Sequence, residues 1–525
     1  MFDYVIVGAG AAGCVLANRL TEDSTVKVLL LEAGGPDKKQ EIHIPAAFNK
    51  LFKTECDWAY FTEPLNHMNN RQMYWPRGKV LGGSTSINAM VYSRANAKDH
   101  DAWQTLGISG WSYADILPYY KKSEHNERFT ALGANEFHGV GGELNVADQR
   151  CVNPLTHLFL DAAQGCGLKH NDDLNGASQE GVSVLQVTQK GGKRHSIAAA
   201  FLKPVLSRPN LTLNTGAHVT QLLFDGNKTI GVEFFQNGRI ETVRVNREVI
   251  LSGGAINSPQ TLMLSGIGPA DHLRALDIPV VADLPGVGQN LYDHLLIGVE
   301  YQCNEPIGLY KADNLKNILR YLVFKQGPLT SNVAEAAAFL SNNGSAIPNI
   351  ELVSAPVFYM DNGFANPDLH GFSIGIALQK PESVGYIKLK SKDPLAAPAI
   401  QPNYLSSEND LTACIEAVKL SREILNSKQF DRFRGKEWWP GEAAKTNDDF
   451  AAHIRQTADT LYHPVGTCKM GVDDSAVVDP TLRVRGVKGL RVVDASIIPL
   501  QITGHTQAPT VAIAEKAADL IKRAI

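Results

Sequence analysis

Cysteine and methionine are scarce, seven of each in 525 residues, and the cysteines (14, 56, 151, 166, 303, 414 and 468) are odd in number and scattered. No C-x-x-C pair occurs among them, which argues against a disulfide framework or thiolate zinc site and for reduced thiols in a cytosolic setting. No run of about 18 uninterrupted apolar residues exists, so no membrane-spanning helix is expected. Composition leaves room for peripheral attachment to the inner face of a membrane. Surplus basic charge is missing too: a formal net charge of -4 gives nucleic acid no electrostatic hold. The first ten residues, MFDYVIVGAG, lack the basic start and small-residue cleavage site of a signal peptide and read as a buried strand. Repeats of 20–50 residues and low-complexity segments are absent. What remains is a globular composition, 44% hydrophobic and 20% charged. It is spread over a length that one core does not support, so two interlocked domains are expected.

The apolar run Asp3 to Val7 is followed at once by Gly8-Ala9-Gly10-Ala11-Ala12-Gly13 and a helical stretch through Leu20. Strand, glycine turn and helix stand in the order a dinucleotide fingerprint requires. Gly8 permits the tight turn, Gly10 lets backbone approach a pyrophosphate, and Gly13 lets the helix pack closely on the strand. The helix N-terminus turns free N–H groups and a positive dipole end toward the phosphates. A second apolar strand, Val26 to Leu31, ends at Glu32, close to the roughly 20-residue spacing at which an acid meets a ribose hydroxyl. These residues alone leave flavin, nicotinamide and a binding-only sensor open.

Three later blocks narrow the choice. Residues 78–88, GKVLGGSTSIN, resemble the first signature of the glucose–methanol–choline oxidoreductase family. Residues 254–268, GAINSPQTLMLSGIG, resemble the second, departing at Thr261, where an aliphatic residue is usual. LYHPVGT (461–467), RVVDAS (491–496) and GHTQAPT (504–510) are similar to the C-terminal part of that family. The resemblance runs from Met1 to Ile525. The wording is nearest to choline-dehydrogenase-like enzymes and bacterial dehydrogenases of aliphatic alcohols, the latter through EPIG (305–308) and LTSNVAE (329–335).

The resemblance implies an α/β fold: a Rossmann-like FAD-binding domain assembled from separated segments (1–150, 191–300 and 456–525). A substrate domain (151–190 and 301–455) is built from an antiparallel sheet and helices. Period-two alternation in 181–188, 350–358, 372–378 and 385–389 suggests such a sheet, half exposed on one face. Leu411, Ile415, Val418 and Leu425 recur at helical spacing. Strands are expected at 219–224 and 247–251. The cofactor implied is non-covalent FAD, held by Gly8, Gly10, Ala11, Ala12, Gly13, Glu32 and Ala33 at the nucleotide end. Gly83, Asn88, Ala89, Met90 and Val91 follow from the first signature, and Val219 backbone is placed near the adenine. Asp494, Ala495, Thr506 and Gln507 complete the set. A metal role is not expected, because neither candidate catalytic histidine has clustered ligands.

The activity implied is oxidation of a primary alcohol to an aldehyde by hydride transfer to flavin N5, with electrons passing to a quinone-like acceptor. An oxidase releasing peroxide is the alternative reading; a non-catalytic flavin protein and a flavin photodecarboxylase are more distant ones. Alcohol oxidation needs a base for the hydroxyl proton, and a neutral imidazole is one at working pH. His463 and His505 stand inside family motifs, which lifts them above the other histidines, whose plain reading is satisfied interior residues. His463 is assigned as base and His505 as the partner of the alkoxide, with the reverse assignment open. Pro509 marks the first turn of a helix whose positive end is expected at the flavin pyrimidine edge. Trp438 and Trp439 suit either an apolar substrate entrance or ordinary packing. Cys468 reads as an inert buried thiol.

Some relatives attach FAD through a histidine directly before the asparagine of the first signature. Ile87 stands there in this chain and offers no nucleophile. Acid precipitation is therefore expected to release free yellow FAD; colour retained in the washed pellet contradicts this.

Overall fold

The N-terminal apolar run forms the strand Phe2–Val7, buried over its last four residues. In the computed structural model, which describes residues 1–365 and 367–523, this strand lies between Val28–Glu32 and Arg239–Leu251. All three are parallel, with Val5 beside Leu29 and Val249. Leu211–Thr215 and Leu490–Val492 extend the parallel set on either side. Parallel strands covered on both faces need continuous apolar side chains, and Val28–Glu32 is buried at every position. Beyond the parallel part, Arg239–Leu251 pairs antiparallel with Lys228–Gln236, which pairs with His218–Asp225. The expected strands at 219–224 and 247–251 are both present, the first in this meander and the second in the parallel part of Arg239–Leu251.

The first and last long helices, Ala11–Leu20 and Gln507–Lys522, pack on each other. Arg19 locks them: its Nε and Nη2 donate to the two carboxylate oxygens of Glu515 at 2.8 and 2.7 Å. Its Nη1 and Nη2 also donate to Glu143 at 2.6 Å. Glu515 is fully buried, so the bidentate fork supplies the charge compensation it needs.

A second, antiparallel sheet runs in the order Arg434–Trp439, Leu295–Cys303, Gly371–Leu378, Ile350–Ala355, Ala336–Leu340, Gly181–Val184. The expected boundary at 300 falls inside its strand Leu295–Cys303, so this sheet begins earlier than the motif pattern suggests. Asp459–Thr460, expected in the FAD-binding part, also pairs with that strand. The run 385–389 lies outside the sheet, because Tyr386–Lys388 pairs only with Ala399–Gln401. Nor is the sheet half exposed: Ile350–Ala355 is buried throughout. One face packs on the helix Glu408–Leu425 through Cys414, Ile415 and Val418, and the other looks into the central cavity. The C-terminal segment expected to run to 525 is described as far as 523.

Arg19→Ala leaves the half-buried Glu143 without its partner and the buried Glu515 with Lys122 alone, at 3.1 Å, at an expected cost of about 3 kcal/mol. A denaturant titration followed by tryptophan fluorescence checks this; an unchanged midpoint contradicts it.

Candidate active site

A continuous cavity opens between the two sheets, with Gly10 and Glu32 toward one end and His463 and His505 at the other. The Gly10 end is shaped by close backbone approach. A Cβ on Gly13 would lie 1.8 Å from the Gly8 carbonyl oxygen, and one on Gly8 (φ +101°) 2.5 Å from the Ser252 carbonyl oxygen. Both positions exclude a side chain. A Cβ on Gly10 would meet nothing within 4 Å, because that face opens on the cavity. Gly8, Gly10, Ala11 and Ala12 line the cavity, whereas Gly13 stands behind it and seats the helix on the strand.

Glu32 ends the second strand and Ala33 follows it, both at the cavity wall. The Glu32 oxygens accept the N–H groups of Ala9 and Gly34, each at 2.8 Å. Burial nevertheless pushes its pKa up to about 7, since two donors do not replace full hydration. Val219 lines the same end.

Gly83 presses the first signature onto the nucleotide turn, where a Cβ would sit 2.8 Å from Gly10 Cα. Further along, the Asn88 side chain donates to Gln507 Oε1 at 2.6 Å and accepts from Arg194 Nη1 at 2.6 Å. It also accepts the Met90 N–H at 3.1 Å, supporting the left-handed backbone of Met90 (φ 56°). Ala89, Met90 and Val91 form wall. Asp494 reaches the cavity, but its carboxylate is engaged by the chain: it accepts Gly254 N–H, Ser258 Oγ, Ser496 N–H and Ser496 Oγ at 2.5–2.8 Å. It secures the second-signature turn, and Ala495 beside it forms wall. The helix Gln507–Lys522, with Pro509 in its first turn, opens its N-terminus on the cavity through Thr506 and Gln507.

At the other end, an antiparallel contact brings two distant segments together: Tyr292 bridges Val465 and Leu295 pairs with Thr460. This sets His294 opposite His463, with their Nδ1 atoms 3.0 Å apart. His294 Nε2 lies 3.0 Å from the Ile502 carbonyl oxygen, which can only accept, so Nε2 carries the proton. Burial lowers the His294 pKa to about 3, so the ring is neutral and its Nδ1 accepts. His463 must then donate from Nδ1, which leaves Nε2 as its lone-pair nitrogen. Burial, with His505, His294 and Arg77 as neighbours, holds His463 well below the usual imidazole range.

The backbone of His463 is also fixed. Its N–H donates to Asp293 Oδ1 at 2.6 Å, and Asp293 further accepts from Thr460 Oγ1 and the Tyr404 hydroxyl. The His505 ring lies edge-on to His463 with centroids 4.7 Å apart, and its Nε2 donates to Glu351 Oε1 at 3.0 Å. The loop carrying His505 is tied by Thr503 N–H to Asp99 at 2.6 Å and Gly504 N–H to Gln379 at 2.7 Å.

His294, Glu351 and Glu300 were not singled out by sequence reasoning, because no motif marks them. For His294 and Glu300 the signal available was two residues of one strand, Leu295–Cys303, and its N-terminal edge. Glu300 lines the cavity, fully buried, with Tyr359 N–H at 3.2 and 3.3 Å, and burial pushes its pKa up to about 8. Trp439 lines the cavity as well, whereas Trp438 packs edge-on against Phe358. Burial raises the Cys468 thiol well above its ordinary range, which removes it as a nucleophile. Among the described residues no three His, Cys, Asp or Glu side chains converge as a metal site requires.

Models of the GMC oxidoreductase family match residues 2–296 and 381–514. The chain belongs to the GMC oxidoreductase family. It is 46% identical to the mitochondrial choline dehydrogenase of Mus musculus, over 99% of this chain and 89% of that protein. It is 44% identical to an alcohol dehydrogenase [acceptor] of Pseudomonas putida, over 100% and 96%. Among solved structures, a formate oxidase of Aspergillus oryzae studied for its FAD modification superposes with a TM-score of 0.92 at 27% identity, covering 100% and 98% of the two chains. This GMC oxidoreductase is an enzyme acting on CH–OH groups, and its cofactor is FAD. The residues present fit that group. Gly10 offers the open backbone a diphosphate needs. Gln507 Nε2 is a buried donor at the cavity wall without a partner among the described residues, where a ring carbonyl oxygen would satisfy it.

A ribose whose hydroxyls donate to Glu32 would favour its ionised form, so that FAD would bind the carboxylate better than the acid. FAD affinity of the apoprotein is expected to strengthen as pH rises from about 6 to 8 and to level off above the Glu32 pKa. Glu32→Gln removes that slope, and Glu32→Ala weakens FAD by about 1.5–3 kcal/mol. Fluorescence titration of apoprotein checks both; an unchanged affinity in Glu32→Ala removes Glu32 from the site.

Proposed function

We propose that this protein oxidises a primary alcohol to an aldehyde, with His463 Nε2 as the base for the hydroxyl proton and a quinone-like compound as electron acceptor. The observation that carries the base assignment is the Ile502–His294–His463 hydrogen-bond chain, in which one carbonyl oxygen fixes the tautomer of two buried rings. A base must present a lone pair to the reacting oxygen, and this chain leaves His463 Nε2 as that lone pair. FAD, when bound, supplies the hydride acceptor.

The chain's own residues do the rest. Backbone at Gly10, Ala11 and Ala12, with the N-terminus of the helix Ala11–Leu20, holds the diphosphate. Glu32, Ala33 and Val219 hold the adenosine. Gly83, Asn88, Ala89, Met90, Val91, Ala495, Thr506 and Gln507 surround the ring system. The positive end of the helix Gln507–Lys522 favours negative charge there. Glu351 engages His505 Nε2 and leaves Nδ1 as the second nitrogen able to share the alcohol proton. The sheet wall opposite carries Gly298, Gly375 and Ala355, side chains small enough to leave room for a substrate carbon. A quinone-like acceptor is supported by the similarity to a dehydrogenase named for an acceptor.

His463→Ala is expected to slow anaerobic flavin bleaching by a saturating alcohol by roughly 10²–10⁴, the usual worth of a general base. His505→Asn is expected to be milder, and His505→Ala to fall between them. Because His463 titrates well below 6.5, its neutral form is complete above that pH, so the bleaching rate stays flat through pH 7–8 and falls only in acid. A fast His463→Ala enzyme beside a crippled His505→Asn enzyme reverses the roles. Bleaching by no alcohol overturns the activity, and peroxide formation in place of quinone reduction overturns the acceptor.

A further inference from the structure

The helix Leu315–Phe324 presents its apolar side to solvent. Leu315, Leu319, Leu322, Val323 and Phe324 are each more than half exposed. The first four recur at i, i+4, i+7 and i+8, the spacing of one helical stripe. Most helices bury such a stripe; this one is fastened by its opposite side. Tyr321 is buried and its hydroxyl donates to the His43 carbonyl at 3.1 Å. Asn314 caps the N-terminus by accepting the Asn317 N–H at 3.1 Å, and Lys325 in left-handed conformation closes the C-terminus. The helix is therefore a built element with an uncovered apolar face, the mark of an interaction site.

The surrounding charge says what covers it. Between residues 309 and 327, Lys311, Lys316, Arg320 and Lys325 stand against one acid, Asp313. Asp313 is bridged by Lys50 at 3.1 Å, and the nearby Asp368 by Lys311 at 3.5 Å. A basic segment on a chain of net charge -4 suits an anionic surface and would repel its own copy in a two-fold pair. Size points the same way. Ten residues make a strip about 15 Å long and about 10 Å wide, on the order of 150 Å² and far below the roughly 800 Å² per partner of a stable protein interface. An apolar stripe with flanking cations is the design of a helix lying in the plane of a bilayer, side chains in the acyl boundary and ammonium groups at the phosphates.

We propose that the helix Leu315–Phe324 docks the enzyme on the surface of an anionic phospholipid bilayer. The helix is anchored to the segment 43–52, which carries Phe48 and Phe52 on the cavity wall. Docking therefore brings the wall of the active-site cavity close to the bilayer. Docking itself stands on this face alone; delivery of a membrane-dissolved acceptor rests in addition on the proposed activity.

The test is sedimentation of holoenzyme with vesicles of phosphatidylcholine alone or with added phosphatidylglycerol. Wild type is expected to sediment with the phosphatidylglycerol vesicles, more at low salt. L319E/V323E is expected to lose at least about tenfold in partitioning, and K316E/R320E to lose the preference for phosphatidylglycerol. Both variants should bleach their flavin with a soluble alcohol at the wild-type rate, which reports an intact fold and separates docking from the activity. Wild type remaining in the supernatant, or L319E/V323E sedimenting like wild type, overturns the proposal. So does light scattering that shows a wild-type dimer abolished in L319E/V323E, which makes a second copy the occupant.

Discussion

One hydrogen bond between two neutral imidazoles orients the histidine end of the cavity. Its direction comes from outside the pair: the Ile502 carbonyl cannot donate, so His294 must, and His463 is left with its lone pair on Nε2. In water such a preference would be lost, because either ring nitrogen finds a donor or an acceptor equally well. Burial makes it binding, since an unpaired nitrogen in a dry cavity is costly. The arrangement needs three separate stretches in register, 292–296, 459–465 and 501–505. Much of the surrounding polar structure serves that register: Asp293 beneath His463, Asp99 and Gln379 beneath the loop, and Lys380 bridging Asp99 to the Gln501 carbonyl.

Buried carboxylates act throughout as backbone fasteners. Glu32, Asp293 and Asp494 each accept two to four donors from turns that line the cavity. Burial raises all three pKa values, so each donor also offsets part of the cost of removing a carboxylate from water. Short backbone-to-carboxylate bonds hold loops in one conformation more firmly than apolar contact does, because they are directional. Glu300 differs. Among the described residues it has the Tyr359 N–H and the Ser373 hydroxyl beside it but no cation, and it faces the space left by Gly298, where a Cβ would lie 3.0 Å from its Oε1.

The Gly10 end of the cavity was legible because its determinants are local. Gly8, Gly10 and Gly13 are required by a turn that is complete within a dozen residues, and Glu32 follows at the end of the next strand. The helix Glu408–Leu425 and the strands Ile350–Ala355 and Gly371–Leu378 announced themselves through periodicity, which depends only on neighbours along the chain. Resemblance to the family placed His463 and His505 without geometry. Sheet membership was less legible: 385–389 alternates as the sheet strands do, yet alternation reports only that a segment has two unlike faces. The strand Ile350–Ala355, read as half exposed, is buried because the second face meets the cavity and the FAD-binding part.

By itself the sequence determined the dinucleotide turn, the α/β class, the family, and the two histidines of its C-terminal motifs. Only the tertiary structure decided which nitrogen of His463 is free, that His294 and Glu351 stand behind the two histidines, and that the face of Leu315–Phe324 points outward. The physical reason is common to all three. A tautomer, a hydrogen-bond partner and the burial of a helix face are properties of groups far apart in the chain. Residues 294 and 463 meet only when Leu295–Cys303 pairs with Asp459–Thr460, and 351 and 505 only when the second sheet meets the loop ahead of the helix Gln507–Lys522.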